Sequence, residues 1–189
     1  RIPEPNAFTA AAIFLAVLIG GVTFTGSLVA FAKLSGRLPG KPLLFDNQQL
    51  INAVLLGGAL VVGVIFTLFP ESAYLLLIAA ILAAFALGVL AVLPIGGADM
   101  PIVVSLLNSY SGLAASMAGF IIGNNVLIVA GSLVGASGLI LTQIMCRAMN
   151  RSLANVLFSG FGATSGPGGA GAAVAGEVRA ISPEDAYYL

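Results

Sequence analysis

Asn108 is a polar residue in the middle of a long apolar stretch. It lies in ADMPIVVSLLNSYSGLAASMAGFII, residues 98–122, close to Ser105, Ser109 and Ser111. In hydrocarbon, an amide side chain needs hydrogen-bond partners, because leaving it unpaired is costly. The amide donates and accepts hydrogen bonds but does not titrate at physiological pH, so it could hold water molecules in fixed positions. The alternative is an interhelical contact that contributes about 1 kcal/mol.

Few other residues could take part in acid–base or metal chemistry. The sequence has no histidine and one cysteine, Cys146. Histidine-based catalysis, the usual zinc sites and an internal disulfide are therefore excluded within this chain. Asp99, the second residue of the Asn108 stretch, is the only acid in or near it. We expect it to cap the following helix, where the helix dipole favours a carboxylate.

The sequence predicts no nucleotide, metal or nucleic-acid site within this chain. Gly166, Gly168 and Gly171 match the dinucleotide pattern G-x-G-x-x-G, but neither a strand before them nor a helix after them is predicted. We interpret this segment as a flexible linker. The net charge is zero and there is no basic run that would attract nucleic acid.

The composition is that of a membrane protein. Of 189 residues, 59% are hydrophobic and 7% are charged, whereas about a quarter are charged in soluble domains. The apolar stretches are long enough for helices rather than membrane strands. The predicted fold is an all-α, polytopic bundle of about five transmembrane helices. These spans are 7–32, 50–69, 72–93, 101–122 and 125–147.

The distribution of basic residues predicts the orientation. Lys33, Arg37 and Lys41 follow the first span, and Arg147 and Arg151 lie at the end of the fifth. With five spans these two regions share one side of the membrane. The positive-inside rule places that side, and the C-terminal end, in the cytoplasm.

Small residues predict close helix packing. Gly131 and Gly135 form a GxxxG step, and such steps let helix backbones approach closely in lipid. We expect Asn108 and Ser105 to face the inside of the bundle, together with small residues of the same helix. The glycines assigned to helix packing are Gly112, Gly131, Gly135 and Gly138.

The chain divides into three parts. Residues 1–152 form the bundle, 153–176 a Gly/Ala-rich linker, and 177–189 the start of a cytoplasmic domain whose first helix is capped by Ser182. The start, RIPEPNAF, has no initiator methionine or cleavage pattern. We therefore expect the chain to be a piece of a longer protein.

Three segments resemble the membrane domain of the beta subunit of proton-translocating NAD(P) transhydrogenases. They are VTFTGSLVAFAKLSG, IGGADMPIVVSLLNSYSG and LIVAGSLVGASGLILTQIMCRAMNRSL. The resemblance implies inward proton movement coupled to hydride transfer from NADH to NADP⁺. It also implies that 177–189 leads into an NADP(H)-binding domain, and that further beta-subunit helices precede the chain. An alpha subunit would add helices and the NAD(H)-binding domain, and the complex would be a dimer of protomers in the bacterial inner membrane.

The resemblance also implies roles for individual residues. Asn108 matches the family's proton-pathway asparagine, and Ser27 matches a serine on a channel-lining helix; we group Ser105 with them. Asp99 would lie at the cytoplasmic mouth, where it could relay protons or contact the NADP(H) domain. Arg147 and Arg151 would be interfacial anchors that could also contact that domain. The family's proton path usually includes a membrane histidine, and this chain has none. That group either lies outside this chain or is replaced by another residue.

Two other classes of protein remain open at this stage. A secondary transporter or channel would also have Gly-rich helices with buried polar groups, although we would expect more charge along a substrate path. A passive membrane anchor would not need Asn108. The residues beyond Leu189 would discriminate: a strand followed by a Gly-rich turn favours the transhydrogenase, and a further span favours a transporter.

Overall fold

The computed structural model describes residues 6–45, 47–69 and 74–156, without the side chains of Gln49 and Tyr74. A 3-10 turn at Gly97–Asp99 precedes the fourth helix, one helical turn at 153–156 follows the fifth, and these ranges contain no strand. The five long helices are α1 Ala7–Leu34, α2 Gln48–Leu68, α3 Tyr74–Val92, α4 Met100–Ile122 and α5 Asn125–Ala148.

Each of the five helices is long and apolar enough to cross a membrane. The prediction of an all-α bundle with about five spans is therefore confirmed. α4 packs along α5 on one side and along α1 on the other. α1 also packs against α3, and α2 packs against both α3 and α1.

The interior consists of two apolar clusters. One joins Phe14 of α1 to Phe66 of α2 and Ala84 of α3. The other joins Val29 of α1 to Val103 of α4, together with residues after α3 and after α5. Every helix also exposes large apolar side chains, as expected for surfaces that meet lipid or further helices.

α4 and α5 approach closely because the residues between them are small. A Cβ atom on Gly131 would lie 2.5 Å from the backbone nitrogen of Ser116, and one on Gly138 would lie 2.7 Å from the Cβ of Ser109. Gly112 and Gly135 face each other in the same contact. We call this contact the α4–α5 seam. Between the two helices, Gly123 adopts a left-handed conformation and the Asn124 side chain accepts a hydrogen bond from the Leu127 N–H (3.1 Å).

The basic residues of the described ranges lie at one end of the bundle. Lys33 contacts the segment after α3, the Gly97 N–H donates to the Gly40 carbonyl (2.8 Å), and Arg151 lies beside Asp99. We call this the basic end. It contains Lys33, Arg37, Lys41, Arg147 and Arg151.

The predicted linker and the predicted start of a further domain lie outside the described residues, apart from the beginning of 153–176. Residues 153–156 form a helical turn in which Val156 is buried in the core. The G-x-G-x-x-G segment and the Ser182 cap also lie outside the described residues. These assignments stay predictions.

Candidate functional site

Asn108 lies on the outer surface of the five helices. Its side chain is exposed near the middle of the span Gly97–Ile122, about 13 Å along the helix axis from Asp99. The prediction that it faces the inside of this bundle is wrong. Successive residues of a helix are about 100° apart, so Asn108 is turned about 60° away from Ser105, which does face α5. Asn108 therefore occupies the sector of α4 that neither α1 nor α5 covers.

The exposed sector of α4 changes character along its length. Pro101 and Val104 form its part near the basic end, and Asn108 and Ser111 continue it toward the other end. The Ser111 hydroxyl donates to the Leu107 carbonyl one turn back (3.1 Å). Asn108 thus has a polar neighbour on the same surface of α4, and we call Asn108 and Ser111 the polar face.

A groove between α1 and α4 borders the polar face. It has a volume of about 450 Å³ and opens to the outside of the bundle. Ser27 and Thr23 of α1 line it opposite Ser111 of α4. Ser27 is exposed, whereas Thr23 is buried and donates to the Ile19 carbonyl (2.6 Å). The structure therefore brings Ser27 to the side of α4 on which the polar face lies.

Ser105 lies elsewhere, in the α4–α5 seam. It is buried and accepts a hydrogen bond from the Thr142 hydroxyl (3.1 Å), and its own hydroxyl donates to the Gly138 carbonyl at 3.4 Å. One turn on, the Ser109 hydroxyl donates to the Gly135 carbonyl (2.5 Å). Ser105 and Asn108, grouped together from the sequence, are thus on different faces of α4.

Asp99 lies at the basic end, in the position that precedes α4. It does not cap the helix, because its side chain makes no capping hydrogen bond. The prediction of a capping interaction is wrong on this point. The backbone of Asp99 is already helical, at φ −92° and ψ −1°, since the 3-10 turn precedes it, whereas a capping residue has extended geometry.

The Asp99 carboxylate instead faces Arg151. The Arg151 Nε lies 3.6 Å from Asp99 Oδ1, an ion-pair distance that is too long for a good hydrogen bond. Within the described residues, this buried Oδ1 has no hydrogen-bond donor. Among the described residues, Asp99 therefore presents an unsatisfied acceptor at the basic end.

The end of α5 positions both predicted arginines. The Arg151 N–H donates to the Cys146 carbonyl (2.8 Å), the Asn150 N–H donates to the Arg147 carbonyl (3.1 Å), and Asn150 has a positive φ of 52°. This is the Schellman pattern that ends a helix. Arg147 and Arg151 line a recess of about 190 Å³ with the buried Cys146. The described residues contain no cluster of three metal-ligating side chains.

Sequence reasoning missed the buried polar residues on α1 and α2. Lys33, Gln48 and Asn52 are each 5% exposed or less. The predicted first span ends at residue 32, which places Lys33 in the following loop, but Lys33 lies within α1. Gln48 and Asn52 are one helical turn apart in an apolar helix, and that spacing was an available signal for a shared polar face.

Comparison with known proteins identifies relatives of the chain. The family model described as NAD(P) transhydrogenase beta subunit matches residues 2–189. Two curated proteins from Rhodospirillum rubrum, both named NAD(P) transhydrogenase subunit beta, are 48% identical to the chain over 176 residues. The match covers 93% of this chain and 38% of each relative. The chain thus spans well under half the length of these relatives.

Proposed function

The chain belongs to the NAD(P) transhydrogenase beta subunit family, and on this premise we propose that its helices form part of the membrane proton path of such an enzyme. Inward proton movement would be coupled to hydride transfer from NADH to NADP⁺. The observation that carries the proposal is the exposed position of Asn108 in the middle of a membrane span.

The energetics of the amide support this role. An Asn108 side chain facing lipid would leave its donors and acceptor without partners, and polar groups within membranes face cavities or other helices for this reason. The polar face and the adjacent groove with Ser27 offer such a cavity when further helices cover them. We propose that the covering helices come from the alpha subunit and the rest of the beta subunit, and that water fills the space between.

Asn108 would orient water, and another group would carry the proton. The chain has no histidine, and Asn108 does not titrate at physiological pH. The titratable group of the path therefore belongs to the covering helices or to Asp99. Ser27 would line the path, whereas Ser105 would hold α5 against α4 from within the seam.

Asp99 would form the cytoplasmic mouth of the path. Its unsatisfied Oδ1 can accept a hydrogen bond from water, and the oppositely charged Arg151 side chain lies 3.6 Å away. Arg147 and Arg151 precede the chain segment that would lead to the NADP(H)-binding domain. A proton that reaches Asp99 would thus be close to the connection between the membrane helices and the NADP(H)-binding domain.

The remaining features of the proposal concern the whole complex. The basic end would face the cytoplasm of a bacterial inner membrane, and the complex would be a dimer of protomers. NAD(H) and NADP(H) would bind to domains outside this chain. A secondary transporter or channel is not favoured, because the family match covers residues 2–189.

The test is a coupled assay on the reconstituted complex with Asn108→Leu, a change that removes the amide and fills its space. Hydride transfer and proton flux should fall together, while hydride exchange by the soluble domains continues. Asn125→Leu is the matched control, because it makes the same change in an exposed residue at the start of α5.

Stability should be measured in parallel. A membrane helix–helix hydrogen bond contributes about 0.6 kcal/mol on average, so the melting temperature of Asn108→Leu should change little. Normal coupling combined with a marked loss of stability would make Asn108 a packing contact and contradict the proposal.

A further inference from the structure

Lys33 is a buried cation at the basic end. Its side chain is 5% exposed, and its ammonium donates hydrogen bonds to the backbone carbonyls of Leu93 and, at 2.8 Å, of Ile95. Lysine is almost never fully buried without compensating partners. The compensation lies at the C-terminal end of α3, where carbonyls lack helical partners and the helix dipole favours a cation.

The carbonyls that bind Lys33 belong to the segment that leads to Asp99. The Leu43 N–H also donates to the Leu93 carbonyl (3.2 Å), and the Gly97 N–H donates to the Gly40 carbonyl (2.8 Å). The Asp99 N–H then donates to the Gly96 carbonyl (3.1 Å). The connection between α3 and α4 is therefore held by α1 and by the loop after it.

Gln48 of α2 supports the same end of α3 from another side. It is 3% exposed, and its amide donates to the Leu90 carbonyl (3.1 Å). Lys33 and Gln48 thus bind carbonyls about one helical turn apart. Of the two residues, only Lys33 binds a carbonyl beyond the end of α3. That carbonyl belongs to Ile95, which lies close to the turn that contains Asp99.

We propose that Lys33 is a positioning residue for Asp99. By binding the carbonyls of Leu93 and Ile95, the ammonium fixes the connection that sets Asp99 opposite Arg151. The inference rests on the proposed function, in which Asp99 forms the mouth of the proton path. A packing role alone would make Lys33 important for stability but not for the action of Asp99.

The experiment uses the full complex reconstituted in vesicles, with Lys33→Met, Lys33→Arg and the control Lys41→Met. Lys41 is exposed in the loop after α1, so its substitution removes the same charge at the same end. Displacement of a reacting group by about 1 Å can cost on the order of 10²-fold in rate. We expect Lys33→Met to lower coupled turnover by about tenfold or more, Lys33→Arg to restore part of it, and Lys41→Met to behave like the parent complex.

A double-mutant cycle with Asp99→Asn separates positioning from packing. If Lys33 acts through Asp99, Lys33→Met should slow the parent complex but not the Asp99→Asn complex, because interacting residues are not additive. Independent, multiplicative effects would overturn the inference, and so would normal turnover of an assembled Lys33→Met complex. If Lys33→Met does not assemble, Lys33→Gln, which keeps a neutral donor, takes its place in the same cycle.

The Asp99→Asn complex by itself tests the proposed mouth. If its coupled turnover is normal, the role of Asp99 in the proposed function fails. If its turnover is impaired but the cycle is additive, only the role of Lys33 fails.

Discussion

Ser27 and Ser105 are identical side chains in two different settings. Ser27 is exposed in the groove between α1 and α4, and Ser105 is buried in the α4–α5 seam with Thr142 and the Gly138 carbonyl as partners. Truncating the two hydroxyls should therefore have different effects. This comparison tests which face of α4 borders the path.

We expect Ser27→Ala to lower coupled proton flux and to leave stability nearly unchanged, because it removes a hydrogen-bonding group from the proposed path. Ser105→Ala should leave the flux close to that of the parent complex and lower stability by about 0.6 kcal/mol, the average for a membrane helix–helix hydrogen bond. Flux assays and thermal unfolding of the reconstituted complex measure both. A larger loss of flux in Ser105→Ala would place the path in the seam instead.

At the scale of helices, the α4–α5 seam depends on the absence of side chains. A Cβ atom on Gly131 would lie 2.5 Å from the Ser116 nitrogen, whereas one on Gly57 of α2 would meet nothing within 4 Å. The atom that this Cβ would meet on Ser116 belongs to the backbone of α4, which cannot move aside as the end of a flexible side chain can. Widening the seam would also shift the polar face relative to the groove.

We therefore expect Gly131→Ala to destabilise the complex by about 1–3 kcal/mol, the usual cost of overpacking. Gly57→Ala should be neutral, or slightly stabilising because alanine favours a helix. Thermal unfolding of the two purified variants in the same detergent measures the difference. Equal melting temperatures would show that the close approach of α4 and α5 is not required.

The helices could be predicted from the sequence, but the direction of key side chains could not. Long apolar runs and glycine spacings are local signals, so the spans and close packing follow from them. Asn108 lies only about 60° around α4 from Ser105. An error of this size in the assigned helix face is therefore enough to predict a buried side chain where the side chain is exposed.

The contacts of Lys33 were also beyond sequence reasoning, for a different reason. Its carbonyl partners lie sixty or more positions further along the chain, and backbone carbonyls carry no residue-specific signal. The missing capping bond of Asp99 has a local origin, because the 3-10 turn before α4 gives Asp99 a helical backbone. The packing of α3 against α1 sets the first contact, and local backbone geometry sets the second.

At the scale of the whole molecule, the two ends of the bundle differ in charge as far as residues 6–45, 47–69 and 74–156 show. The basic residues of α1, α5 and the loop after α1 share one end. Gly123 and Asn124 lie between α4 and α5 at the other end. This distribution is the basis for the proposed orientation in the membrane.

The orientation can be tested by labelling single cysteines with an impermeant reagent in sealed vesicles, in a Cys146→Ala background. Cysteines replacing Arg37 and Ser152 should react from the cytoplasmic side only, and a cysteine replacing Asn124 from the opposite side only. Reaction of Arg37→Cys and Asn124→Cys from the same side would mean that the number of spans between them has been misassigned.

The most direct test of the account asks whether position 108 faces water in the assembled complex. In the Cys146→Ala background, Asn108→Cys is treated with silver ions while proton flux is followed. Leu82→Cys is the control, because Leu82 is 63% exposed in α3 and does not line the groove between α1 and α4. The parent Cys146→Ala complex sets the background response.

Asn108→Cys removes the amide but leaves space for water, so part of the proton flux should remain. We predict that silver blocks this remaining flux and has no effect on Leu82→Cys or the background, because silver ions reach a thiol only through water. A silver-resistant Asn108→Cys complex with normal flux would contradict the claim that the exposed face of α4 lines the proton path.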